Sequence, residues 1–470
     1  MSNVNFKTAA KNTAVEGRTH NGMKTLTSSL DPVVDLFFLA GASRGKDITA
    51  QFERAYQADR VLALKVAAWA RDVRGGAGER QLFRDILRYI ERNHPQELPM
   101  VINIGPAFGR WDDILVLETP LGKKLAYDLI KENLLVAQDG LCAKWMPRKG
   151  PDAVALTKHL GLTPKGYRKL LVGLTKVVET AMCSGDWSKI NYSHVPSVAA
   201  ARYQKAFWRH DADGYKSYVE ALKKNDGSAK VNANAVYPYD VIKSLRMGGD
   251  KDVVTAQWAA LPNYVGDEKI LPLVDVSGSM GCAVGGNPNL TCMDVALSLG
   301  LYLADKNEGA FKDMFVTFSA NPKIEVLTGD IVSKLHQLQR ADWGMNTDLI
   351  KAFDLILAVA TKHKVQKADM PAYLLILSDM EFDRCAKADD SALEAVNRRY
   401  EAAGYTRPNI VFWNLNGRVG NVPVKYDENG TALVSGFSPA IMKGILAAEE
   451  MTPVSVMLSV LNNPRYSVIK

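Results

Sequence analysis

The apolar pattern of the chain changes near residue 265, and this change constrains the fold more than any other feature. From Asp31 up to that point, apolar residues recur at helical spacing in one segment after another. Beyond it, short continuous apolar runs alternate with helical stretches. The sequence therefore predicts an all-α part over residues 31–255 and an α/β part over residues 265–470.

The first part contains amphipathic segments separated by breaks at Gly and Pro, and it has almost no strand-like runs. We expect helical hairpins stacked as a HEAT-like helical repeat, in a ring or a horseshoe. Residues 1–30 are rich in Asn, Thr and Ser without periodicity, so we expect an N-terminal arm that is extended or flexible. The predicted helical segments are VVDLFFLAGA, RVLALKVAAWARDV, RQLFRDILRYIERN, KKLAYDLIKENLL, YRKLLVGLTKVVETAM and YKSYVEALKK.

The second part alternates strands and helices, as β-α-β units do. Its strand candidates are ILPLVDV, MFVTFS, KIEVL, YLLILSD and NIVFWNL, and MDVALSLGLYLADKN and LIKAFDLILAVATKH are predicted helices between them. Continuous apolar strands of this kind indicate a doubly wound, mostly parallel sheet with helices on both faces. In such a Rossmann-like sheet, ligands usually bind beyond the carboxyl ends of the strands.

Composition is ordinary for a globular protein, with 470 residues of which 47% are hydrophobic and 23% charged. No apolar run approaches the ~20 residues of a membrane helix, and the N-terminus lacks the apolar core of a signal peptide. We therefore expect a cytoplasmic protein without a membrane partner. The five cysteines form no CxxC pair, so we expect reduced thiols.

Three polar segments fall where the predicted sheet would bring them together. Asp275-Val276-Ser277-Gly278-Ser279 follows the first strand, Asn346-Thr347-Asp348 precedes a helix, and Ser378-Asp379 follows a later strand. Small oxygen ligands of this kind suit a hard divalent cation, and Mg²⁺ is the predicted ion. The alternative is a polar strand-to-helix turn without a metal. We expect Asp348, Glu381 and Asp383 to act as helix caps or outer partners. The predicted metal ligands are Asp275, Ser277, Ser279, Thr347 and Asp379.

These segments resemble the metal-ion-dependent adhesion site (MIDAS) of von Willebrand factor A domains. In that family the first Asp, the two Ser, a later Thr and a final Asp form the site, some of them through water. The resemblance implies an open metal position that accepts an acidic side chain from a protein partner.

A wider resemblance extends from about Asp31 to the C-terminus. WGMNTDLIKAFDLIL and MPAYLLILSDMEFD, with RDVRGGAGERQLFRDIL and FGRWDDIL upstream, are similar to an uncharacterised family of two-part proteins. Better-understood relatives of that family are the Ro proteins, whose helical TROVE region closes through an A-type domain and binds small non-coding and misfolded RNAs. The resemblance implies, by analogy, a ribonucleoprotein-like RNA partner.

Basic residues are concentrated in the first part, which carries a net charge of +11 up to Asp250, whereas the remainder carries −4. Between Leu141 and Lys176, eight Lys or Arg residues accompany one acid, Asp152, and aromatic rings lie among them. Such a mixture suits phosphates and unpaired bases. The alternative is a solvated helix face with Trp145 in the core. The predicted RNA-binding residues are Lys144, Trp145, Arg148, Lys149, Lys158, His159, Lys165, Tyr167, Arg168 and Lys169.

A second basic group, Arg71 to Arg88, is interleaved with acids, so helix-face ion pairs explain it at least as well. We find no Gly-x-Ser-x-Gly, HExxH or Walker A sequence, which argues against an enzyme. The sequence favours a non-catalytic RNA-binding scaffold with a divalent-metal site that recruits an acidic partner. The main alternative is a metal-dependent protein-assembly module without RNA. A metal-assisted phosphodiesterase, using Asp348, Glu381 and Asp383, ranks third.

Overall fold

The first long helix starts at an Asp-Pro pair, which is helix-initiating chemistry. The Asp31 carboxylate accepts the N–H groups of Val33 and Val34 at 2.8 and 3.0 Å. The structure is a computed structural model, and it describes residues 16–224, 227–232, 236–285, 287–318, 321–340, 348–383 and 392–470. The α-helices that follow in this part are α1 (Pro32–Ala40), α2 (Thr49–Ala58), α3 (Arg60–Arg71), α4 (Arg80–Asn93), α5 (Leu98–Val101), α6 (Ile104–Phe108), α7 (Pro120–Leu135), α8 (Gly140–Trp145), α9 (Pro151–His159), α10 (Pro164–Leu174), α11 (Val178–Ser184), α12 (Ser197–His210), α13 (Ala212–Lys224), α14 (Pro238–Arg246) and α15 (Lys251–Ala259).

The prediction of one helix over YRKLLVGLTKVVETAM is wrong, because the structure divides this segment between α10 and α11. Thr175 ends α10, and both its N–H and its hydroxyl donate to the Leu171 carbonyl. Gly173 weakens the last turn, and the β-branched residues that follow favour an extended backbone, which Val177 adopts. The segment therefore bends where continuous helical periodicity had suggested a rod.

The second part is an α/β domain with a six-stranded sheet. The sheet strands are β3 (Ile270–Asp275), β6 (Met314–Phe318), β7 (Ile324–Val326), β8 (Tyr373–Ser378), β9 (Asn409–Asn414) and β10 (Thr431–Ser435). Their order in the sheet is β10-β9-β8-β3-β6-β7, in which all neighbours are parallel except the edge strand β7. The helices are α16 (Cys292–Lys306), α17 (Ile331–Arg340), α18 (Leu349–Lys362), α19 (Ala392–Ala402), α20 (Met442–Leu446) and α21 (Pro453–Leu461). The predicted fold class, an all-α part followed by a mostly parallel α/β sheet, is confirmed.

All five predicted strands are present, and in the α/β part the sequence reading missed one further strand and one hairpin. One is β10, a short fully buried run that pairs with β9 along the sheet edge. The other is a small hairpin of β4 (Ala283–Val284) and β5 (Asn287–Thr291), inserted directly after the predicted metal loop. The apolar run of β10 has only three residues, Ala432 to Val434, and β5 is mostly polar.

One continuous hydrophobic core extends through α1–α10 and α14–α15 into the sheet. A second, smaller core lies under α12 and α13 and is built around aromatic rings, among them Tyr192, Phe207 and Tyr215. No helix among the described residues is long and apolar enough to cross a bilayer.

The helical part begins and ends against the α/β part. At its beginning, α1 packs on β10, and the Ser435 hydroxyl donates to the Phe37 carbonyl at 2.8 Å. Gly41 is required at this contact, since a Cβ there would lie 2.6 Å from the Ser435 backbone. At its end, α14 and α15 pack beside α16. The Tyr237 hydroxyl donates to the Ala77 carbonyl at 3.4 Å, so the segment before α14 also contacts the connection between α3 and α4.

The described part of the N-terminal arm is extended and docked on the α/β part. Strands β1 (Glu16–Arg18) and β2 (Lys24–Leu26) form an antiparallel pair, and Leu26 forms a further bridge with Val422. Residues 1–15 lie outside the described residues.

Candidate functional site

The predicted metal loop starts where β3 ends, and its first carboxylate is fully buried. The Ser277 N–H donates to Asp275 Oδ1 at 2.9 Å, and the Ser378 hydroxyl donates to Asp275 Oδ2 at 2.5 Å. Strands β3 and β8 are parallel neighbours, so their carboxyl ends bring Asp275 and Ser378 together. Burial, followed by the negative charge of Asp379, raises the pKa of Asp275 to about 7.

The other described residues of the loop converge on the same point. The hydroxyl oxygens of Ser277 and Ser279 lie 2.9 Å apart. Asp379 is 1% exposed, and its Oδ1 accepts the Glu381 N–H at 3.3 Å. Its Oδ2 is buried and has no hydrogen-bond partner among the described atoms, and burial raises the pKa of this carboxyl while Arg418 opposes the rise. A buried carboxylate oxygen of this kind is stabilised by a cation.

The donor set fits a hard divalent ion. Two carboxylates and two hydroxyls supply only oxygen, and Mg²⁺ commonly completes such a set with water. The described residues contain no group of three or more His, Cys, Asp or Glu side chains that could hold a metal. The predicted set has only two carboxylates, and its other described ligands are hydroxyls, so this finding does not concern it. Thr347, the remaining predicted ligand, lies in the segment 341–347 outside the described residues.

The three neighbouring acids, for which we predicted capping or outer-partner roles, have partners within the protein. Asp348 caps α18 by accepting the Lys351 N–H at 3.1 Å. The Glu381 carboxylate pairs with Arg418 at 3.0 Å, and Arg418 also lies 3.6 Å from Asp379 Oδ2. Asp383 forms a backbone bridge with Gly22. Arg418 is therefore an ion-pair partner of the Asp379 oxygen that lacks a hydrogen bond among the described atoms.

The N-terminal arm touches the rim of this site, which sequence reasoning missed. The Thr19 hydroxyl donates to the Phe382 carbonyl at 2.7 Å, the His20 N–H donates to the Glu381 carboxylate at 2.5 Å, and the Asn21 amide donates to the Glu381 carbonyl at 2.8 Å. Each of these contacts joins a side chain to a backbone group across more than 350 residues of chain. No local pattern of residue types could have revealed them.

The predicted RNA-binding cations lie on α8–α10 and the turn between α8 and α9. Six of these cations are exposed, and we call them the cationic surface: Arg148, Lys149, Lys158, Lys165, Arg168 and Lys169. Among the described residues, none of the six forms an ion pair with an acid within 4 Å.

The three aromatic rings predicted to stack on bases are already engaged. Tyr167 is 4% exposed, its hydroxyl donates to the Pro147 carbonyl at 3.0 Å, and burial raises its pKa to about 12. The prediction for Tyr167 is therefore corrected: it is a core residue. The Arg110 guanidinium covers the Trp145 ring at 3.5 Å from its centroid, with Lys144 at 5.4 Å. His159 contacts the Asp128 carboxylate at 2.8 Å.

Three arginines of the second basic group are ion-paired, but only Arg88 pairs with one of the interleaved acids. Arg71 Nε lies 2.6 Å from Asp113, and Arg84 Nε lies 2.9 Å from the other oxygen of the same carboxylate. Arg88 pairs with Asp85 at 3.2 Å. Arg71 and Asp113 are 1% and 0% exposed, so this group holds the helices together.

Two family models match the chain, and both are described as domains of unknown function. DUF2828 matches residues 19–107 and 163–269, and DUF7788 matches residues 269–460. The uncharacterized protein L728 of Acanthamoeba polyphaga mimivirus is 30% identical over 505 residues, which cover 94% of this chain and 86% of that protein. This chain belongs to the same family. Within it, the two models meet directly before β3 begins at Ile270.

A solved structure, the RO (RSR) protein of Deinococcus radiodurans, is also similar. The identity is 16%, and the match covers 93% of this chain and 100% of that one with a TM-score of 0.39. A likeness of this strength carries no argument about function.

Proposed function

We propose that this protein is a non-catalytic RNA-binding scaffold whose cationic surface holds the phosphate backbone. The observation that carries the proposal is that the six exposed cations of this surface lack acidic partners within the described part of the chain. The resemblance of the domain order to Ro proteins points the same way.

The charges are arranged in a way that suits a polyanion. Lys165, Arg168 and Lys169 are three and four residues apart on α10, so they share one helix face. Like charges this close repel one another in the free protein, and a bound phosphate backbone relieves the repulsion while releasing counterions. Because Tyr167 is buried and Trp145 is covered by Arg110, backbone contacts should dominate over base stacking. We therefore expect binding with little sequence preference.

The proposal includes a divalent cation, Mg²⁺, held by Asp275, Ser277, Ser279 and Asp379, with Thr347 as a further predicted ligand. Support comes from the buried Asp379 Oδ2, which lacks a hydrogen-bond partner among the described atoms. Such an ion would supply an open position for an acidic side chain of a protein partner. Asp275 and Asp379 would hold the charge, and the two hydroxyls would orient the ion.

RNA binding is tested with a fluorescent structured RNA that carries a single-stranded 3′ tail, titrated over a salt series. In Arg148→Glu/Lys149→Glu/Lys169→Glu we expect affinity to fall about a hundredfold and the log–log salt slope to fall by about two. Circular dichroism should show unchanged folding, because all three side chains are exposed.

The matched control reverses three exposed lysines of the α/β part, Lys362→Glu/Lys364→Glu/Lys367→Glu, and so changes the net charge equally. Equal loss in both variants would show that only total charge matters and would reject the cationic surface as the site. Absence of salt-sensitive binding in the wild type would discard the RNA proposal and leave the metal-dependent assembly module.

The metal proposal is tested by electron paramagnetic resonance with Mn²⁺ as the probe. Asp379→Asn should abolish saturable Mn²⁺ binding, because it removes the carboxylate charge while keeping its shape, and Mg²⁺ should compete with Mn²⁺ in the wild type. The control is Asp354→Asn, a half-exposed carboxylate of α18 that pairs with Arg399. Equal Mn²⁺ binding by the wild type and Asp379→Asn would overturn the proposed metal site. We expect the two proteins to bind RNA with the same affinity, because the cationic surface is unchanged.

A further inference from the structure

Two cysteines face each other at the base of the β4–β5 hairpin, immediately after the proposed metal loop. The sulfur atoms of Cys282 and Cys292 lie 3.3 Å apart. The Cys292 N–H donates to the Cys282 carbonyl at 3.1 Å, and the next residues, Ala283 and Thr291, are paired across the hairpin. The two thiols are therefore cross-strand neighbours, and both are free.

The geometry is close to that of a disulfide. Directly opposed residues of an antiparallel pair have Cα atoms about 4.5–5.5 Å apart, which lies within the range that disulfides span. A sulfur–sulfur bond is about 2.05 Å long, so the two sulfur atoms need to approach by only about 1 Å. Side-chain rotation over a two-residue strand end supplies a movement of this size without unfolding the hairpin.

The surroundings give the two thiols different roles. Cys282 is half-buried and accepts a hydrogen bond from the Asn416 amide at 3.4 Å, whereas Cys292 is buried and contacts the Leu415 carbonyl at 3.6 Å. Contact with the Cys292 thiol lowers the pKa of Cys282 to about 7, with Lys46 acting in the same direction, and the pKa of Cys292 is raised. The more exposed thiol is therefore the better nucleophile, and the buried one is placed to resolve it.

We propose that Cys282 and Cys292 form a thiol redox site that a hydroperoxide converts into a reversible disulfide. The Cys282 thiolate attacks one peroxide oxygen, the O–O bond breaks, and an alcohol, or water from hydrogen peroxide, leaves. The resulting sulfenic acid is attacked by the Cys292 sulfur, the S–O bond breaks, and water leaves. The two thiols lose two electrons and two protons in total, and the peroxide is reduced. A dithiol then reduces the disulfide to the two thiols by thiol–disulfide exchange and is itself oxidised to a disulfide.

This site is positioned to control the proposed metal site, and this step rests on that proposal. Cys282 follows the turn Gly278–Gly281, which includes Ser279. Both sulfurs also contact the Leu415–Asn416 segment, which leads to Arg418 beside Asp379. Closing the disulfide pulls these two segments, so we expect oxidation to change Mn²⁺ affinity by about tenfold, as displacement of outer partners commonly does.

The chemistry is tested on the full chain by mass spectrometry. After treatment with hydrogen peroxide and alkylation, trypsin releases one peptide, residues 270–306, that contains both cysteines. We expect this peptide without alkyl groups and lighter than the reduced peptide by the mass of two hydrogen atoms, and dithiothreitol should restore alkylation at both positions. Cys292→Ser should instead leave Cys282 as a sulfenic acid that dimedone traps.

Exposed Cys183 is the internal control, since it has a surface thiol without a described cysteine beside it. If Cys183 is oxidised while Cys282 and Cys292 are both alkylated, the proposal is overturned. A disulfide with unchanged Mn²⁺ affinity overturns the coupling step alone. If the reduced protein binds no Mn²⁺, the metal site fails, and the mass of the 270–306 peptide still decides the redox site independently.

Discussion

The helical part contains two basic regions that look alike in composition and differ in how many of their cations are held in ion pairs. Around α3 and α4, three arginines are bound to acids, and one of those acids, Asp113, is 0% exposed. On α8–α10, the six cations of the cationic surface are exposed and unpaired within the described residues. In the first region Arg71, Arg84 and Arg88 are held in ion pairs within the fold. In the second region the cations face solvent.

The difference teaches that a basic stretch indicates a binding surface only when its counter-charges are absent in space. Asp113 accepts from Arg71, Arg84 and the Arg110 N–H, so three donors converge on one carboxylate. The fit leaves no room for a side chain at Gly109, where a Cβ would lie 2.3 Å from the Arg71 guanidinium. Such a network fixes the positions of the helices. The free energy needed to remove its charges from water is offset only if every charged partner is present.

Removing the shared carboxylate should have the largest effect of any change in either region. Asp113→Ala leaves Arg71 buried and unpaired, so we expect the free energy of unfolding to fall by about 3–5 kcal/mol in urea titrations followed by circular dichroism. The control Asp85→Ala removes the partly exposed pair with Arg88 and an exposed hydrogen bond from the Gln81 amide, and it should cost about 0.5–1 kcal/mol. A loss below about 1 kcal/mol for Asp113→Ala would contradict the structural role of the first region.

The contact between the two regions should have an intermediate effect. Arg110 pairs with Asp112 at 2.5 Å in the first region and covers Trp145 at the edge of the second. We expect Arg110→Ala to lower the free energy of unfolding by about 1–2 kcal/mol, because a cation–π contact and a partly buried ion pair are both lost. Lys144→Ala, which removes the more distant cation from the same ring, is the matched control and should cost less than about 0.5 kcal/mol. Equal losses would indicate that the stacking of Arg110 contributes nothing specific.

The sequence predicts what is encoded locally and misses what depends on distant partners. Strands β3, β8 and β9 were recognisable because each is a continuous apolar run, and their parallel pairing explains why Asp275 and Asp379 meet. The burial of Tyr167 depends on the Pro147 carbonyl 20 residues away, and the pairing of Arg71 depends on an acid 42 residues away. Periodicity reports which face of a helix is buried, but it does not report which charge lies opposite.

The docked N-terminal arm is the clearest case of information that lies outside local patterns. Residues 16–26 are polar and short-stranded, yet Thr25 is 4% exposed and its hydroxyl donates to the Val422 carbonyl. This contact is stabilised by hydrogen bonds that backbone and hydroxyl groups form with residues distant in the sequence. Residue types that are common in loops therefore gave no indication of where this segment binds.

The smallest change in stability should come from the cationic surface itself, where a stability measurement and a binding measurement are expected to move in opposite directions. Lys165 is exposed in the first turn of α10, where a positive charge opposes the helix dipole, so Lys165→Ala should raise the free energy of unfolding by a few tenths of a kcal/mol or leave it unchanged. The same variant loses one phosphate contact, so its log–log salt slope for a single-stranded RNA should fall by about 0.7. Arg88→Ala, from the paired region, should leave the slope unchanged and lower stability slightly. If Lys165→Ala instead destabilised the protein and kept the wild-type salt slope, the second basic region would resemble the first. The distinction between ion-paired cations and cations free to bind phosphate would then fail.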